Sequence, residues 1–158
     1  MATTGDAVPD VTLFRDDGAP VQLKALLGAR TLVLYFYPKD ETPGCTAEAC
    51  TFRDAYEDFV ASGADVVGVS SDSGTSHQAF KAHHRLPFTL LSDQGGAAAR
   101  ALGVKRTLGI LPGRTTFVIG RDGVIRHRFD SQLQAKKHVA EALGLVKSLE
   151  AGAAVSSP

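Results

Sequence analysis

Thr31-Leu32-Val33-Leu34-Tyr35-Phe36-Tyr37, followed by Pro38-Lys39-Asp40-Glu41-Thr42-Pro43-Gly44-Cys45-Thr46-Ala47-Glu48-Ala49-Cys50, is the stretch whose reading decides the fold. Its first part is β-branched, aromatic and almost wholly apolar, which describes a central strand buried on both faces. From Ala47 to Val60 the period changes. Ala49, Phe52, Tyr56, Phe59 and Val60 recur at three- and four-residue spacings, with Arg53, Asp54, Glu57 and Asp58 off that face, so this part reads as an amphipathic helix. Thr42 is placed to cap the helix with its hydroxyl, and Pro43 suits the first helical position. Cys45 then falls in the first turn, where free N–H groups and the positive end of the helix dipole favour a thiolate. A strand that delivers a cysteine onto a helix N-terminus is an arrangement for a reactive thiol.

Working outward, residues 1–6 read as a loose start and Val8 to Phe14 as an edge strand. Asp16-Asp17-Gly18 turns this strand into a second arm near Val21 to Leu23. Lys24 to Gly28 is a short turn or helix. After the cysteine helix, Ser62-Gly63 marks its end and Asp65 to Val69 is a second buried strand. Ser73 to His84 is a surface helix anchored by Phe80, and Phe88 to Leu91 is a short strand. Gly95 to Leu102 is an alanine-rich helix closed by Gly103. Leu108 to Arg114 is a loop. Thr115 to Ile119, Arg121-Asp122-Gly123 and Val124 to Phe129 form a hairpin. Gln132 to Leu149 is the last helix, and Ala151 to Pro158 is a frayed tail. Strands alternating with helices and ending in a hairpin imply an α/β fold, a central mixed sheet with helices on both faces. One domain is expected over residues 1–150, with a flexible tail at 151–158.

Composition narrows the function. Lys plus Arg and Asp plus Glu both number 17, and the basic residues are dispersed, which disfavours nucleic acid and anionic membranes. No apolar run approaches the roughly 20 residues needed to span a bilayer. The first ten residues lack a basic-then-apolar leader, so a cytoplasmic location is expected. Two cysteines in 158 residues are too few for a disulfide scaffold and fit an intracellular thiol role.

Other chemistries fit less well. Cys45 and Cys50 are spaced too widely for the usual zinc pair, and also for a dithiol exchanger with two residues between its cysteines. The histidines at 77, 83, 84, 127 and 138 offer no matching spacing, and His83-His84 reads as a solvated helix end. Gly68-Val69-Ser70 loosely echoes a hydrolase elbow but lacks the second glycine, so Ser70 to Ser73 reads as helix capping. Arg114 is either a surface arginine at a strand edge or a fixed cation beside a thiolate. Glu48 either complements the helix dipole or orients Arg114 through a charge-assisted pair.

The run Pro38-x-x-x-Thr42-x-x-Cys45 resembles the active-site signature of peroxiredoxins. With Cys50 inside the same helix, it is similar to the bacterioferritin comigratory protein, or peroxiredoxin Q, subfamily. Ser70-Ser71-Asp72-Ser73 with His77 and Phe80, Leu86 to Asp93, Arg114 to Ile119, and His138 with Ala140, Glu141 and Leu143 carry the resemblance further. It spans about Gly5 to Leu149. Val104 to Gly113 lacks the family's tyrosine-glycine, and Gly120 stands where Asp is usual.

The resemblance implies a thioredoxin-like fold with an N-terminal hairpin, and reduction of hydroperoxides without metal, heme or flavin. It implies attack by Cys45, with Thr42 and Arg114 assisting, and a pocket shaped by Pro38, Pro43, Gly44 and Glu48. It implies Cys50 as the resolving cysteine, thioredoxin or a similar dithiol as reductant, and a monomer. The alternative is a non-catalytic redox sensor or holdase of the same fold. One helix geometry sets a constraint. Residues five apart on a regular helix have Cα atoms about 8.6 Å apart and side chains about 140° apart. A disulfide requires about 7 Å or less, so a Cys45–Cys50 bridge needs the first turns of the helix to unwind.

Overall fold

The computed structural model of the chain describes residues 3–104, 106–107, 111–112, 114–130 and 135–156. In chain order these form β1 (Thr12–Phe14), β2 (Pro20–Gln22), a 3-10 turn (Leu23–Leu26), β3 (Thr31–Phe36) and α1 (Pro43–Ala61). Then come β4 (Ala64–Ser70), α2 (Gly74–His84), β5 (Thr89–Ser92), a 3-10 turn (Gln94–Gly96) and α3 (Ala97–Ala101). The short pair β6 (Arg106–Thr107) and β7 (Leu111–Pro112) precedes β8 (Thr115–Ile119), β9 (Ile125–Asp130) and α4 (Ala135–Ser156).

Every residue of β3 is buried, as its unbroken apolar run requires. It lies inside a sheet ordered β2-β1-β5-β4-β3-β8-β9. β3, β4 and β5 run parallel, linked through α1 and α2, whereas β8 is antiparallel to β3 and β9 to β8. The sheet is therefore mixed, and it divides the interior. Leu32, Leu34 and Phe36 point to one side, where they meet Leu13, Leu23, Ala98 and Leu102. Val33, Tyr35 and Tyr37 point to the other, where they meet Phe52 and Phe59 of α1, Phe80 of α2 and Val139 and Val146 of α4. Helices thus cover both faces.

Several boundaries differ from the sequence reading. The stretch Val8 to Phe14 is a strand only from Thr12, and it is not the edge. β2 takes the edge and β1 pairs on its far side with β5. Residues 5 and 6 are not loose. Gly5 N–H donates to the Ile125 carbonyl and Ile125 N–H to that of Asp6, so backbone pairing to the β8–β9 hairpin holds a segment with no apolar signal. Gly95 and Gly96 both have positive φ, so the alanine helix starts only at Ala97. α4 continues to Ser156 into the stretch read as a frayed tail, because alanines at 151, 153 and 154 favour helix. The expected helix start at Gln132 and most of the loop Leu108 to Arg114 lie outside the described residues. Gly74 is required by close approach: a Cβ there would collide with the Asp16 carbonyl, which ties the N-terminal hairpin to the start of α2.

Candidate active site

α1 begins with Pro43, and Cys45 lies in its first turn, only 1% exposed. Cys50 lies on the same helix and is half-buried, and both are free thiols. The helix is regular through both, so the two cysteines are separated as the sequence geometry requires.

Strand register brings Arg114 to the thiol. Phe36 at the end of β3 pairs with Thr115 at the start of β8. Arg114, one residue earlier, therefore stands beside the point where the chain leaves β3 for α1. Its Nη2 donates to Cys45 Sγ at 3.5 Å and its Nη1 to Glu48 Oε1 at 2.6 Å. Arg114 is 5% exposed and Glu48 is fully buried. The surface reading of Arg114 is thereby excluded, as is that of Glu48 as a first-turn acid. Gly44 explains part of the fit, since a Cβ there would come within 3.0 Å of Arg114 Nη2.

Burial pushes the Glu48 carboxyl up to about 7 against the pull of Arg114. Desolvation works against the Arg114 charge too, but Glu48 and Cys45 outweigh it and hold the guanidinium above its ordinary value. On the far side of Glu48, His138 of α4 has Nδ1 3.2 Å from Thr116 Oγ1 and 3.9 Å from Glu48 Oε2. Burial, then Arg114, pushes this imidazole below its ordinary value.

Thr42 occupies the cap position of α1, but its hydroxyl does not cap the helix. It donates to the Lys39 carbonyl at 2.9 Å. Its oxygen accepts from none of the first N–H groups of α1, so it is left as an acceptor beside the start of the helix. Pro38 is half-buried, and Pro43 and Gly44, which begin α1, are exposed.

The AhpC/TSA family model matches residues 4–128. The chain belongs to that family. Peroxiredoxin Q of Sedum lineare, a chloroplastic protein, is 48% identical over 149 residues, covering 94% of this chain and 80% of that one. Among solved structures, peroxidoxin BcpB of Mycobacterium tuberculosis is 39% identical with a TM-score of 0.87, covering 94% of this chain and 99% of that one. Peroxiredoxin Q of Xanthomonas campestris is 32% identical with a TM-score of 0.80, covering 89% and 91%. The fold is thioredoxin-like, and the chain is a thiol-dependent peroxidase of the peroxiredoxin Q kind.

This peroxiredoxin also contains a buried network that residue-by-residue reading missed. Asp40 accepts from the Tyr37 hydroxyl at 2.5 Å and from Ser76 Oγ at 2.8 Å, and its Oδ2 is 2.8 Å from His77 Nδ1. His77 Nε2 is 3.0 Å from the Leu91 carbonyl. The Asp40 N–H in turn donates to Asp72, which also accepts from Ser70 Oγ. These bonds fasten the loop before Thr42 to β4, α2 and β5. A clue is present in the sequence, since Asp40 is an acid only three residues beyond the apolar run that ends at Tyr37.

Proposed function

We propose that this peroxiredoxin reduces hydrogen peroxide and organic hydroperoxides through Cys45, with Cys50 as the resolving thiol. The observation that carries the reading is the Cys45 sulfur in the first helical turn accepting a hydrogen bond from a buried arginine. The thiolate attacks one peroxide oxygen, the O–O bond breaks, and the departing oxygen leaves as alcohol or water after taking a proton. Cys45 becomes a sulfenic acid, oxidised by two electrons. Arg114 stabilises negative charge as it moves from sulfur to oxygen. The Thr42 oxygen, its proton committed to Lys39, accepts from the peroxide O–H and orients it. Pro38, Pro43 and Gly44 border the opening, and Glu48 fixes the guanidinium.

The Cys50 thiol then displaces hydroxide from the sulfenic sulfur, giving a disulfide and water. Thioredoxin or a similar dithiol returns both thiols by exchange. We read the enzyme as a monomer acting in the cytoplasm.

Peroxide consumption with a dithiol reductant in excess tests this reading. Many peroxides reduced per chain is the expected result. Oxidation of each chain once only, without turnover, would favour a redox sensor or holdase. In Cys50→Ser, the first oxidation should proceed and mass spectrometry should find Cys45 as sulfenic acid or as a mixed disulfide with added thiol.

A further inference from the structure

We propose that Glu41, His83 and His84 form a binding site for a divalent transition-metal ion, with zinc as the representative. It uses none of the side chains assigned to the thiol chemistry. Glu41 Oε2 lies 2.9 Å from His83 Nδ1, and Oε1 lies 2.7 Å from His84 Nε2. One ligand atom from each residue fits within 4.8 Å of the other two. Two imidazole nitrogens with one carboxylate is a donor set that suits zinc and leaves a position for water. Ligand atoms held about 2.0–2.2 Å from a tetrahedral ion are about 3.3–3.6 Å apart. The two carboxylate contacts would open by less than about 1 Å as an ion replaces the shared protons.

Local structure favours a cation at this point. His83 and His84 end α2, where the negative end of the helix dipole lies. The His84 ring is set by an edge contact to Phe80, with centroids 5.1 Å apart, and by the His83 ring at 4.1 Å. Glu41 adopts φ +65°, a left-handed conformation uncommon for a residue with a side chain. That conformation faces its carboxylate across to α2. Glu41 and His83 are exposed and His84 half-buried, so an ion could enter. Lys81 and Arg85 flank the two histidines in sequence, and the guanidinium of Arg53 is engaged by the His84 carbonyl at 2.8 Å and by Asp54 at 3.0 Å. His83-His84 alone reads as a solvated helix end, because the third donor is 42 residues away from His83 in sequence.

Zinc binding to the full-length Cys45→Ser/Cys50→Ser protein tests the site, because that protein has no thiolate to compete. Titration against a chromophoric chelator should show saturable, stoichiometric uptake. Glu41→Gln, His83→Ala and His84→Ala should each weaken it by about tenfold or more, as loss of a ligand requires. His83 is exposed and not part of the core, so His83→Ala tests the site without threatening the fold. No saturable uptake of zinc, or uptake unchanged in His83→Ala and Glu41→Gln, would overturn the proposal.

Discussion

The guanidinium of Arg114 donates to the sulfur of Cys45 across 69 residues of sequence, at 3.5 Å and out of contact with bulk water. In that setting a fixed cation acts on the sulfur with little screening. Both the reactivity of the thiol and its dependence on other residues follow from this contact.

Arg114→Ala is expected to slow oxidation of Cys45 by peroxide about 10²–10³-fold, the usual effect of removing one preorganised donor. Arg114→Lys should not restore the rate, because one ammonium cannot hold Glu48 and Cys45 together as the planar fork does. Stopped-flow oxidation rates check both variants. A lysine variant as fast as wild type would show that charge alone suffices.

Cys45→Ser should abolish peroxide reduction, since a hydroxyl stays protonated near neutral pH and is a far weaker nucleophile. Substantial turnover by this variant would move the attack to another residue.

Gly44→Ala separates activity from stability. The added methyl would meet Arg114 Nη2 at 3.0 Å, so the guanidinium must shift from the sulfur. Alanine is favoured over glycine in a helix by up to about 1 kcal/mol. The expected outcome is a peroxide step at least about tenfold slower with no loss in melting temperature, consistent with a displaced donor. Wild-type kinetics in this variant would mean that Arg114 can move without cost.

The strand–helix turn at Cys45, the β8–β9 hairpin and the two-sided sheet could all be read from the sequence, because each rests on local periodicity or turn chemistry. The Arg114–Glu48 pair appeared only as one of two alternatives, since it depends on the register of β3 against β8. The Thr42 hydroxyl departs from expectation for a different reason: capping depends on the side-chain rotamer, and only the observed backbone shows the hydroxyl turned to the Lys39 carbonyl. His77 looked like one scattered histidine until α2 carried it to Asp40, 37 residues away.

Glu48 should give folding a distinctive pH dependence. Its ordinary value is 4.5, and burial raises it to about 7 in the folded protein. Between these values the folded state binds more protons than the unfolded chain, so this group lowers stability as pH rises through that window. Glu48→Gln removes that slope, a change of up to about 3 kcal/mol across the window. His138, held below its ordinary value, acts with the opposite sign as pH falls, and it is present in both proteins. Denaturant unfolding at several pH values measures the difference. Parallel stability curves for wild type and Glu48→Gln would show that Glu48 titrates normally.

Oxidation should unwind the beginning of α1. Cys45 and Cys50 share a regular helix in the reduced protein, whose geometry holds them too far apart to bond. Amide exchange over residues 46–52 is expected to be slow in the reduced form and fast in the oxidised form, with the helix from about Arg53 onward protected in both. Equal protection would count against an intramolecular bridge.

The sheet's division of the interior bears on how long such an enzyme lasts. Cys45, Ala49 and Phe52 belong to the core on one side, and no residue of α1 belongs to the buried cluster on the other. Each catalytic cycle would therefore loosen packing in one compartment while the opposite one holds the strands in register as a template for reclosure. Local opening of this kind lies far below global unfolding on the stability scale. The sheet would serve as a bulkhead, keeping the loosening that a Cys45–Cys50 bridge requires on the side where α1 packs.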